Sequence, residues 1–223
     1  MHHSQKIIQG YNQNLEKVVK KRTQDLLDTQ LEIVLRLGMA AEYRDTETAN
    51  HTVRVGEYSR IIGQVLGVSG VALEYLHHAA PMYDIGKIGV ADDLLRKQGK
   101  FTPDERLEME KHTTIGSNIL EGSSSELLLV AQEIALNHHE RWDGTGYPAG
   151  LKGKNIPLNG RIVMVADVFD ALTMERPYKH AWPISEAVEF ISDNSGSMFD
   201  PAVVNAFNSE LEKIINIKNH FFD

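Results

Sequence analysis

Apolar positions along this chain are spaced for helices, and no stretch sustains the two-residue alternation of a half-buried strand. Between Asn12 and Ala40 there is no proline, and Gly38 is the lone glycine. Val19, Leu26, Ile33 and Ala40 recur every seven residues, with Thr23, Gln30 and Leu37 interleaved at a/d spacing. This predicts one long helix whose seam can pair with a copy of itself, a coiled coil weakened by Thr23 and Gln30. An amphipathic helix lying on its own domain fits the same letters. After Ala40 the pattern predicts helices over about 46–66, 71–85, 103–120, 126–140, 161–174, 184–194 and 200–216. Thr102-Pro103, Asp200-Pro201 and Ser185-Glu186 are helix-start chemistry. Two long loops remain, Gly86–Lys100 and Asp143–Gly160, the second holding four further glycines. Long glycine-rich loops in a helical domain are more often functional than idle. The division expected is a linker or dimerisation helix over residues 1–36, then one domain over 37–223.

Composition narrows the function classes. A chain of 223 residues with 42% hydrophobic and 24% charged residues can build one good-sized core, so wholesale disorder is not expected. The net charge of −8 argues against a basic nucleic-acid-binding face. A small anion would have to be met by a local cation cluster or a metal. No apolar run is long enough for a bilayer and the start has no secretory pattern, so no membrane partner and a cytoplasmic location are expected. The absence of cysteine excludes disulfides and thiolate metal sites.

The residues able to carry chemistry are oxygen and nitrogen donors. Glu47 and His51 sit four apart and share a helix face. Asp84 ends an apolar helix, where a carboxylate is costly unless paired or metal-bound. Lys87 lies one turn further on, within reach of a phosphate oxygen. His112 stands among Glu108, Glu110 and Lys111, a setting in which a lone histidine is usually surface. His138 and His139 can ligate one ion at a helix end. Asp167 lies in an apolar run and is expected to be buried against a cation, either a metal or Arg161 or Arg176. Arg176 and Lys179 flank Pro177 and Tyr178, a pairing suited to phosphate and base contact. Donors without sulfur favour Fe, Mn, Zn or Ni over soft metals.

Taken together, His138–Pro148, Ala166–Leu172, Arg176–Lys179 and Tyr83-Asp84-Ile85-Gly86-Lys87 resemble the HD-GYP family, cyclic di-GMP phosphodiesterases within the HD phosphohydrolase superfamily. The resemblance runs from about Leu37 to Lys213. It implies an all-α, HD-type helical bundle behind the long N-terminal helix, and hydrolysis of cyclic di-GMP to the linear dinucleotide or GMP. It implies a shell of Glu47, His51, Asp84, His112, His138, His139 and Asp167 around two or three divalent or mixed-valence metal ions, Fe or Mn favoured, with Asp84 bridging. Lys87 would stand beside the scissile phosphate and act in catalysis with Asp84. Arg176 and Lys179 would hold substrate phosphates, and Gly146-Tyr147-Pro148 would shape the substrate loop. The leading helix resembles a linker to an upstream receiver or sensor domain, with a homodimer formed through it. One position departs from the family: Tyr83 stands where its His-Asp pair has histidine, which weakens the first metal site. A degenerate domain that binds cyclic di-GMP or a protein partner is therefore the competing expectation, with a phosphohydrolase for another nucleotide behind it.

Overall fold

A computed structural model of the chain describes residues 2–42, 44, 49–175 and 180–221. Its helices are α1 (His2–Glu42), α2 (Ala49–Val65), α3 (Val71–Ala79), α4 (Asp92–Leu95), α5 (Pro103–Glu110), α6 (His112–Leu120), α7 (Glu126–Asn137), α8 (Leu158–Thr173), α9 (Ile184–Asp193), α10 (Pro201–Ser209) and α11 (Leu211–His220). The all-α expectation holds: among the described residues there is no strand, just an isolated bridge between Ser195 and Phe199. No described helix is long and apolar enough to cross a membrane. The chain divides into two compact units, Met1–Val34 and Leu35–Asp223. In the first, α1 exposes Val19, Leu26 and Ile33.

Within the second unit, α8 is the central helix. Ile162, Val163, Val165, Ala166 and Phe169 are fully buried there, so it has almost no solvent face. It packs against α2, α7, α9 and α10, while α3 and α6 cover α7. Phe169 meets Tyr58 of α2 at 5.7 Å and Phe207 of α10 at 5.1 Å, both edge-on. Burying a large apolar side chain stabilises by roughly 1.5–3 kcal/mol, so this aromatic trio is a main contributor to the core.

Local chemistry explains several boundaries. Thr102 and Glu105 form a reciprocal capping box ahead of α5, and the Asp200 carboxylate accepts from the Ala202 amide at 2.8 Å ahead of α10. Ser185 caps nothing, because α9 starts at Ile184 behind Pro183. The expected 71–85 helix stops at Ala79, since Pro81 enters a 3-10 turn over Ala80–Met82. The expected 103–120 helix is two helices, parted where the Lys111 amide bonds back three residues to Glu108. The expected 200–216 helix is likewise divided at Glu210, and 126–140 ends at Asn137. The break after Ala79 and the early end of α7 place Asp84, His138 and His139 outside regular helix. There, neighbouring side chains can converge on one point instead of fanning round an axis.

Candidate active site

Asp84 follows the 3-10 turn, His112 is the first residue of α6, and His138 and His139 follow the last residue of α7. A second 3-10 turn, Ile85–Gly89, carries Lys87 and packs against α6. Gly86 permits that contact, because a Cβ there would run into the His112 carbonyl. His112 is buried, not on the surface as its charged neighbours suggested. Its local sequence says nothing of the α7 end and the 3-10 turn that cover it.

The ligand atoms of Asp84, His112, His138 and His139 all lie within 4.8 Å of one another. His112 Nε2 and His138 Nε2 are 3.2 and 3.4 Å from Asp84 Oδ1, and 3.3 Å from each other. The opposite ring nitrogens serve the backbone: His112 Nδ1 donates to the Met109 carbonyl at 2.6 Å, and His138 Nδ1 to that of Ala135 at 3.0 Å. A proton on each Nδ1 leaves the Nε2 lone pairs facing the carboxylate and each other. Asp84 Oδ1 is buried without a hydrogen-bond donor. Facing lone pairs and an orphaned carboxylate oxygen fit a cation at their centre, and these four residues would hold it.

Electrostatics point the same way at Asp84 and His139. Burial would raise the Asp84 carboxyl, but Lys87, 2.8 Å from Oδ2, together with His112 and His138 holds it well below the usual carboxylate range. Burial opposes a proton on His112, yet Asp84 raises it overall. Burial pushes His139 well below the ordinary histidine value, aided by His138 and His112, which favours the neutral ring a metal needs.

His51 and Asp167 stand beside this group. His51 Nδ1 lies 2.7 Å from Asp170 Oδ2, and its Nε2 lies 2.8 Å from the Tyr83 hydroxyl and 3.6 Å from Asp167 Oδ1. Tyr83 donates to Asp167 at 3.0 Å. The expectation of a buried Asp167, with Arg161 among its candidate partners, is corrected on both of those points. Asp167 is 18% exposed, and Arg161 pairs instead with Asp200. The buried carboxylate of that run is Asp170, which takes two N–H bonds from fully buried Arg54 at 2.7 and 2.9 Å. One turn of helix puts Asp170 inside and tilts Asp167 outward. Glu47, Arg176 and Lys179 lie outside the described residues.

The glycine-rich loop closes over the histidines. The Tyr147 ring packs 4.7 Å from that of His139, and its amide donates to the His139 carbonyl. A Cβ on Gly146 would strike the backbone of Arg141 and His139, so glycine is required for that approach. The loop's anchor is Glu140, which sequence reasoning passed over. Its buried carboxylate accepts from the amides of Ala149 at 2.8 Å and Leu151 at 2.9 Å. Arg44 was passed over as well. It donates to the carbonyls of Lys87, Ile88 and Val90 and to Asp92, pinning the turn that carries Lys87.

Comparison with known proteins adds to this geometry. The sequence profile of the HD domain matches residues 10–203. A Thermotoga maritima protein named cyclic di-GMP phosphodiesterase is 48% identical over 90% of this chain and 54% of its own length. A Vibrio cholerae 3'3'-cGAMP-specific phosphodiesterase is 38% identical over 87% of this chain and 37% of its own. This chain therefore spans about half or less of the length of these relatives. Among solved structures, a cyclic GMP-AMP-specific phosphodiesterase of V. cholerae superposes with a TM-score of 0.65 at 24% identity, covering 83% of this chain and 50% of that one. That likeness concerns the fold alone.

Proposed function

Because the chain belongs to the HD domain family, in its HD-GYP branch, we propose that it hydrolyses a phosphodiester bond of a cyclic dinucleotide, with cyclic di-GMP the first candidate. The observation that carries this reading is the convergence of Asp84, His112, His138 and His139 around an unpartnered carboxylate oxygen. The names of relatives at 48% and 38% identity support a cyclic dinucleotide as the substrate class. A divalent ion bound there supplies Lewis-acid polarisation of the phosphate and a water of lowered pKa. Fe or Mn is the identity we put forward, from the family resemblance, within the Fe, Mn, Zn or Ni that a nitrogen and oxygen donor set suits.

The remaining work falls to the chain's own groups. Lys87, held by Asp84, offers its ammonium to a non-bridging phosphate oxygen. Tyr147, stacked on His139, gives a base or ribose a ring to lie against. Arg176 and Lys179 would present two cations to a substrate phosphate at the metal mouth. A homodimer through Val19, Leu26 and Ile33, and an upstream receiver or sensor domain, complete the reading.

A second reading has its own observation, the Tyr83 hydroxyl lodged between His51 and Asp167. It makes the domain a receptor that binds the dinucleotide without cutting it. One experiment separates the two: metal-loaded protein incubated with cyclic di-GMP and, separately, 3'3'-cGAMP, with products resolved by chromatography. Linear dinucleotide or GMP, lost at least a hundredfold in His138→Ala, supports hydrolysis. Tight binding of intact cyclic dinucleotide without product supports the receptor.

A further inference from the structure

Two groups of donors meet at this centre, and they differ in one respect. In the Asp84 group a buried carboxylate oxygen, Oδ1, has no hydrogen-bond donor, with two imidazole Nε2 atoms 3.2 and 3.4 Å from it; around His51 each donor atom is already committed. His51 Nδ1 is bonded to Asp170, which two Arg54 N–H groups also hold. His51 Nε2 and Asp167 Oδ1 both face the Tyr83 hydroxyl, at 2.8 and 3.0 Å, and are 3.6 Å apart. An ion about 2.1 Å from both atoms would overlap the hydroxyl oxygen on the side where they converge.

The phenol has nowhere to retreat. Tyr83 is 1% exposed, and the rings of His51 and His138 pack edge-on to it at 6.2 and 5.1 Å. Its amide is fixed to the Ala80 carbonyl, and the next residue is Asp84 itself. Moving the phenol would therefore move the carboxylate at the centre of the other group.

We infer that this chain binds one metal ion, at Asp84, His112, His138 and His139, and that the Tyr83 hydroxyl takes the place a second ion would need between His51 and Asp167. This rests on the reading of the Asp84 group as a metal site and replaces the two or three ions implied by resemblance. The second positive charge of a two-ion centre is then absent beside the substrate. A hydroxyl donor stands there instead, backed by the Asp170–Arg54 pair.

Metal content decides the matter without any activity assay. Protein loaded anaerobically with Fe(II) or Mn(II), then dialysed to strip weak surface ions, should hold one ion per chain by elemental mass spectrometry. His138→Ala should hold none. His51→Ala and Tyr83→Phe should each keep one, because neither residue supplies a ligand atom to the Asp84 group and phenylalanine adds none beside His51 and Asp167. Tyr83→His should approach two. Two ions or none in the unaltered protein, loss of the ion in His51→Ala, or a folded Tyr83→His that still holds one would each overturn the inference. So would a phenolate-to-iron absorption band in oxidised protein that vanishes in Tyr83→Phe. If Tyr83→His does not fold, the other variants still decide. A one-ion protein that cleaves no cyclic dinucleotide removes the proposed function and leaves this inference standing; a two-ion protein that does cleave it does the reverse.

Discussion

Arg54 and Asp170 form a fully buried ion pair beside the site, and they lie 116 residues apart in sequence. Breaking a buried pair from one side costs about 3–5 kcal/mol, because a desolvated charge is left alone. Arg54→Met should therefore destabilise the domain by about that much in urea denaturation, and Arg54→Met with Asp170→Leu should recover a large part of it. Glu57 makes a pH-dependent contribution. The bond from His77, opposed by burial and reinforced by Arg60, lowers its carboxyl from 4.5 to about 2. A depressed folded-state value means the stabilisation is complete above 4.5 and is lost as pH falls toward 2. About a fifth of the Glu57 side chain is exposed, and solvent screening there limits the effect to about 1 kcal/mol. Urea denaturation at pH 7 and pH 3 should show the native protein losing that much more than Glu57→Gln.

At the level of elements, what could be read from sequence was what is local. The Thr102-Pro103 and Asp200-Pro201 helix starts lie within a few residues of the bonds they make, and both were legible. So was the pairing of His138 with His139 at a helix end. Arg54 carries no such local signal, since it looks like an ordinary surface charge until α2 meets α8; the apolar run around Asp167 and Asp170 signalled a buried carboxylate but not which of the two it is. Glu140 was illegible for a related reason: its partners are backbone amides, and any sequence supplies those. Glu140→Gln should leave the helices intact but speed hydrogen exchange at Ala149 and Leu151, as a neutral amide replaces a charge-assisted acceptor. Unchanged protection at both amides would show that the carboxylate is not the anchor. The N-terminal helix supplies a separate test. If Val19, Leu26 and Ile33 form a seam, light scattering should give a dimer for the full chain and a folded monomer after deletion of residues 1–36. A monomeric full chain at high concentration would reject the seam.

For the molecule as a whole, an ion bound only by the folded state adds to its stability by mass action. At a free concentration a hundred times its dissociation constant this is about 2.7 kcal/mol, or roughly 5–10 °C in Tm for a domain of this size. Chelation should produce that drop in the native protein and none in His138→Ala, read by calorimetry. The buried guanidinium of Arg54 also gives its remaining nitrogen to the Phe221 carbonyl at 2.6 Å, 167 residues downstream. During synthesis that acceptor leaves the ribosome after every other residue of the second unit's described helices. A chain shortened before Phe221 should therefore lose one charge-assisted hydrogen bond to a buried guanidinium and be cut by protease at α2 more readily than the native protein.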